Sequence, residues 1–351
     1  MTFTRPQRIA FAIATLLFAS LACRAATRLI IPDTPTPAPT ATFIPTLTPT
    51  LLPTITPTIE AAASCPLVTS KIIEDATSSD ASALNGESTS NRDVTYIVEY
   101  EVSGDEIKNP HFESVPNKLK TEQKDYAAHT EIWKFFTRLI PANQRALLDS
   151  FSIITDGKYN ILAAVNQSDN DPNKWELNVD FADTNEKTAL TFTLLHEFGH
   201  LLTLNANQEQ MSEAIYQNPD NEKIYNREVA ACPQYFTGEG CSNPDSYINQ
   251  FFDRFWLDFY AEWQKIDEIK NDDIRQNKLD DFYKTYQDQF LTDYAPTSPA
   301  EDIAESWAFF ILAPKPEDTS IANEKILFFY EYPELVQLRA QILNNVCDEF
   351  K

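Results

Sequence analysis

His196, Glu197 and His200 stand in one pentad, His196-Glu197-Phe198-Gly199-His200. Residues four apart on a helix share a face, so the two imidazoles point the same way and offer nitrogen ligands to one metal ion. Glu197, one residue on from His196, flanks that ion without having to ligate it. Two nitrogen ligands beside a carboxylate base are what hydrolysis by a zinc-activated water requires. The chain has only four histidines, so two at this spacing around a glutamate weigh against chance. The pentad lies in an apolar run from Leu194 to Leu204, which predicts a buried helix. Glycine is scarce, six in all, and in mid-helix it costs about 1 kcal/mol relative to alanine. Gly199 therefore points to close approach by another element or by a substrate.

Two histidines leave a catalytic zinc site incomplete, since such a site has three protein ligands and one open position. A third histidine at position 206 is ruled out, because Ala206 stands there. Glu222 and Glu228 lie at the distance downstream where a glutamate ligand often follows. A stronger pattern lies further on, in Tyr294-Ala295-Pro296-Thr297-Ser298-Pro299-Ala300-Glu301-Asp302-Ile303-Ala304-Glu305. The prolines end the preceding segment and Glu301 opens a new helix, on which Glu301 and Glu305 share a face.

Together the two windows resemble the catalytic domain of anthrax lethal factor and its related secreted zincins, of the gluzincin type. The resemblance covers about twenty residues and nothing outside them. It implies that Glu301 is the third zinc ligand, that Tyr294 aims its hydroxyl at a developing oxyanion, and that Glu305 orients a ligand histidine. It also implies Zn²⁺ as cofactor, a peptide or protein as substrate, and Glu197 as the general base. Two rival functions stand beside it: a zincin-like surface module that binds without hydrolysis, and a zinc hydrolase acting on cell-wall peptides. The presence of Glu197 disfavours the first.

The elements that must position these residues follow from periodicity. Asp93 to Val102 alternates through Val94, Tyr96, Val98, Tyr100 and Val102, a strand signature. A helix is predicted from about Asn117 to Leu139, and a second after Pro141. Tyr159 to Val165 and Trp175 to Phe181 read as strands, and Asp183 to Lys187 as a capped start for the pentad helix. The last of these strands is expected to form the rim of the site. Asn205 to Pro244 is polar and loop-like. Tyr247 to Phe290 is helical, with Phe252, Phe255, Trp256, Phe259 and Trp263 as a core-facing stripe. Helices are expected over Glu301 to Leu312, Leu327 to Tyr330 and Glu334 to Val346. The predicted class is α+β and zincin-like. A small mixed sheet packs on the active-site helix in an N-terminal lobe, about 64–205, and a mostly helical lobe follows, about 206–351.

The N-terminus reads as an export signal. Arg5 and Arg8 precede an uncharged apolar stretch, Ile9 to Ala22, shorter than the ~20 residues that span a bilayer. Cys23, after a small residue, resembles a lipoprotein cleavage site, so residues 1–23 form the signal segment and any membrane contact is through a lipid on Cys23. Residues 24–63 form a tether: eight of the 22 prolines fall between Ile31 and Ile59, alternating with threonine. The remaining cysteines, Cys65, Cys232, Cys241 and Cys347, are even in number, as expected of two disulfides outside the cytosol. Cys232 with Cys241 and Cys65 with Cys347 is the expected pairing. A net charge of -24 excludes a basic nucleic-acid-binding surface. The expected location is the cell surface or the exterior.

Overall fold

In the computed structural model, residues 64–78, 94–157 and 161–351 are described. The signal segment, Cys23 and the tether lie outside them, as do Asp93, Tyr159 and Asn160 at the edges of two predicted strands. The chain is mixed α+β, with one five-stranded sheet and a mostly helical C-terminal part.

Helix α1 (Pro66–Thr77) precedes strands β1 (Thr95–Ser103) and β2 (Glu106–Phe112), which form a hairpin. Tyr96, Val98 and Tyr100 are buried as the alternation predicts, and a register shift between Tyr96 and Val98 buries Ile97 as well. Next, the predicted helix from Asn117 starts late. Two short 3-10 turns come first, and α2 (Tyr126–Leu139) opens only where the Asp125 side chain accepts from the Ala128 N–H (3.1 Å). The cause is Gln123, which is buried and donates to the Ile97 and Glu113 carbonyls, tying this segment to the sheet. After Pro141 there is a single 3-10 turn, Ala142–Gln144, and no second helix. The chain enters β3 (Leu148–Thr155), the central strand, which the periodicity did not reveal.

Strands β4 (Ala163–Gln167) and β5 (Trp175–Asp180) complete the sheet in the order β2-β1-β3-β5-β4. β3 and β5 run parallel, and the other pairs are antiparallel. The last strand in sequence is therefore interior, and the edge expected of it belongs to β4. The tight turn from Ser168 to Lys174 folds β5 back between β4 and β3. This placement also explains why β5 is buried at all six positions, Glu176, Asn178 and Asp180 included. Its acidic residues are buried with partners: Ser152 donates to Glu176, and Asp180 accepts from the Asp156 and Ala182 N–H groups.

Helix α3 (Lys187–Thr203) carries the pentad. The capping predicted for residues 183–187 does not form, because the helix starts only at Lys187, and Glu186, at its N-cap, accepts no bond from it. The polar excursion then holds β6 (Glu209–Met211), α4 (Glu213–Gln217), α5 (Glu222–Ala231) and β7 (Gly240–Ser242). β6 and β7 pair antiparallel, and Cys232 is bonded to Cys241. The helical part comprises α6 (Tyr247–Phe255), α7 (Tyr260–Asp267), α8 (Asp272–Tyr286), α9 (Pro299–Leu312), α10 (Ile321–Phe329) and α11 (Pro333–Glu349). The aromatic stripe is core: Phe252, Phe255, Trp256, Phe259 and Trp263 are all buried. One hydrophobic cluster runs from Phe151 and Leu177 in the sheet through Leu194 and Phe198 of α3 to Trp307 and Phe310 of α9. Cys65 is bonded to Cys347, joining α1 to α11. Among the described residues no helix is long and apolar enough to cross a membrane, and the two disulfides fit an extracellular protein.

Candidate metal centre

α3 is buried along most of its length. Its two histidines reach the one region where β4, α9 and the segment before α9 converge. Their rings lie edge to face with centroids 4.8 Å apart, and the two Nε2 atoms are 3.1 Å apart. A third donor closes the figure. Glu301 Oε2 lies 3.0 Å from His196 Nε2 and 3.3 Å from His200 Nε2. Glu301 stands in the first turn of α9, where Ser298 caps the helix by accepting from the Glu301 N–H (3.1 Å) and Pro299 occupies the first turn.

α9 comes this close because of Gly199. A Cβ at Gly199 would sit 3.0 Å from Ala304 Cα and 3.2 Å from a Trp307 ring carbon. The glycine is the clearance that lets α9 press its backbone onto α3. The close approach expected from the sequence is therefore by another helix.

The surroundings orient the triangle. His196 Nδ1 is 3.2 Å from Glu305 Oε1, and the other Glu305 oxygen accepts from the Thr292 hydroxyl (2.8 Å). With Nδ1 donating to Glu305, Nε2 of a neutral His196 is a lone pair turned toward its neighbours. Glu197 points toward the sheet edge, where its Oε2 accepts from the Val165 N–H of β4 (2.8 Å). One ligand atom each of His196, Glu197 and His200 fit within 4.8 Å of one another. Tyr294 packs its ring 5.9 Å from that of His196. A recess of about 220 Å³ adjoins Tyr294 and Glu305, bounded also by Ala76, Thr77, Tyr283 and Asp293.

Charge is redistributed within this group. Burial works against a charged His196, but its bonds to Glu301 and Glu305 outweigh burial and hold its pKa well above the ordinary value. Glu301 is also buried, and the two histidines hold its carboxylate far below the usual range. Burial raises Glu197 despite both imidazoles. Tyr294 is raised by burial and by the carboxylates of Glu301, Glu197 and Glu305.

The donors fit a small divalent metal. Three atoms bound tetrahedrally at about 2.0–2.1 Å stand about 3.3 Å from one another, close to the separations of 3.0, 3.1 and 3.3 Å here. Two imidazole nitrogens and one carboxylate are one of the donor sets that hold a catalytic metal. Glu222 and Glu228 are excluded from it. Glu222 is exposed in the first turn of α5, away from the buried histidines, while Glu228 bonds Ser212 and Arg227. The other histidines are elsewhere. His111 is exposed near Glu113. His129 is fully buried, with Tyr100 on Nδ1 and the Glu122 carbonyl on Nε2. Sequence reasoning missed the Val165 amide and Thr292. A backbone N–H carries no residue signal, and Thr292 lies just ahead of the recognised window. Asp156, Asp180 and Asp183 form a separate acidic group at the ends of β3 and β5.

No protein-family model, curated protein or solved structure matches the chain.

Proposed function

We propose that this protein is an exported zinc-dependent endopeptidase with a zincin-like, gluzincin-type site. The observation that carries the reading is the triangle of His196, His200 and Glu301, a donor set closed across 105 residues of chain. These three residues would hold Zn²⁺. When bound, the ion supplies Lewis-acid polarisation of the scissile carbonyl and a lowered pKa for the attacking water.

The chain's own groups do the rest. Glu197 takes a proton from the water and returns it to the leaving amine, and its raised pKa suits both transfers. The Tyr294 hydroxyl donates to the oxyanion that develops at the carbonyl. Glu305 holds His196 in one tautomer through Nδ1. β4 is the edge strand beside Glu197, so an extended peptide can pair along it and bring its carbonyl to the site. The N-terminal features support placement at the cell surface through Cys23, with the tether as spacer.

The test is degradation of unfolded casein by the purified protein, with and without a zinc chelator, alongside Glu197→Gln. The expected result is cleavage that stops on chelation and is absent in Glu197→Gln, which still retains its metal. Undiminished turnover by Glu197→Gln would remove its assignment as base, and no cleavage of any peptide by the zinc-loaded protein would sink the peptidase reading.

A further inference from the structure

The face of α9 turned away from α3 carries a buried ion pair. Lys325 Nζ of α10 lies 2.6 Å from Asp302 Oδ2, and both side chains are wholly inaccessible to solvent. The same oxygen accepts from Trp256 Nε1 (2.7 Å). The ammonium sits 4.1 Å from the Phe290 ring centroid, with Phe251 and Phe255 about 6 Å away. The pair is thus set in an aromatic wall.

Stability does not account for it. Replacing a buried ion pair by packed apolar groups is commonly neutral or stabilising, and this wall is otherwise apolar. What the pair adds is direction. Aromatic contacts let a helix slide or turn, whereas a charged hydrogen bond fixes one atom against another. Asp302 directly follows Glu301, and Glu305 lies one turn further along. Side chains stand about 5–6 Å from a helix axis, so a rotation of about 10° moves a carboxylate by about 1 Å. Metal ligands tolerate only about 0.2 Å. Gly199 sets how near α9 lies to α3. On that side the directional contacts are those of the site itself, Glu305 with His196 and Thr292 and Glu301 with the two histidines, whereas the Asp302 contact holds the opposite face from outside the site.

We propose that Lys325, acting through Asp302, is a positioning residue that fixes the rotation of α9 and thereby the placement of Glu301 and Glu305. The proposal rests on the zinc-site reading above. The test measures zinc affinity by competition with a chromophoric chelator, and Tm of the metal-free protein, for Asp302→Asn combined with Lys325→Met. That pair of changes removes both charges and keeps an acceptor for Trp256. Phe136→Leu, a core change in α2 far along the chain from α9, serves as the stability control.

The expected result is an affinity loss of about 10- to 100-fold in the double variant, with the control unchanged in affinity whatever its Tm. Where the double variant does not fold, Trp256→Phe removes one contact to Asp302 and is expected to weaken zinc binding several-fold. Unchanged affinity in the variant that folds overturns the proposal, as does an equal loss in Phe136→Leu. Absence of zinc binding by the unaltered protein overturns the zinc site and this role together, whereas equal binding by all variants overturns the positioning role alone.

Discussion

α3 and α9 touch at Gly199, yet they bring their ligands there by different routes. On α3 the spacing is local: any helix through His196 and His200 sets both rings on one face. On α9 the placement is tertiary. Glu301 reaches the histidines only because Ser298 starts the helix in the right place, Gly199 leaves room for it, and the wall of α6 and α10 backs it. The first contribution survives as long as the helix does. The second depends on packing spread across the whole C-terminal part.

Removing each contribution separately should expose this difference. Glu301→Ala is expected to abolish stoichiometric zinc, measured by metal analysis after dialysis, while helix content by circular dichroism is kept. His196→Ala should do the same. Retention of zinc by Glu301→Ala would move the third ligand to another acid, with Glu305 next in line.

Opening the Cys65–Cys347 bond by replacing both cysteines with serine acts on the tertiary side alone. The bond closes a loop across 282 residues of sequence separation and ties α1, which packs on α3, to α11. A loss of about 2–5 kcal/mol of stability is expected, read by denaturant unfolding. An unchanged midpoint would mean that α1 is held by packing alone.

At the contact itself, Gly199→Ala gains about 1 kcal/mol of helix propensity and meets backbone at 3.0 Å. Overpacking of this kind costs about 1–3 kcal/mol, so a small net loss of stability is expected, with a larger one for Gly199→Val. Zinc affinity should fall in step, because α9 is pushed off. A fall in stability with affinity untouched would separate the glycine from the site.

The pentad, both disulfides and most C-terminal helices were legible because each is a local pattern or a short count. The Glu301 window was legible through resemblance, and Glu228 could be set aside only once its partners were seen. The sheet was less legible. β3 reads Leu148-Asp149-Ser150-Phe151-Ser152-Ile153-Ile154, a pattern too broken to signal a central strand. The edge was assigned to β5 because chain order says nothing of a strand inserted between its neighbours. The helix from Asn117 began late because Gln123 is spent on the sheet, a contact invisible in one dimension.

A last expectation concerns pH, in the sheet and in the helical part. Asp180 in the sheet and Asp267 in α7 are both pushed up to about 7 by burial. Each binds its proton more tightly folded than unfolded. Their contribution to stability is full below the unfolded value near 3.8 and is lost as pH rises to about 7. Asp267→Asn should therefore lose less Tm than the unaltered protein between pH 5 and pH 8. An identical decline in both would show that Asp267 keeps its ordinary pKa.

The most direct test of the account is anomalous diffraction at the zinc edge from crystals of the zinc-loaded protein. The account predicts one strong peak about 2.0–2.1 Å from His196 Nε2, His200 Nε2 and a Glu301 oxygen, with Glu197 beside it and not bound. A peak with Glu301 turned away, or none at the two histidines, would contradict it.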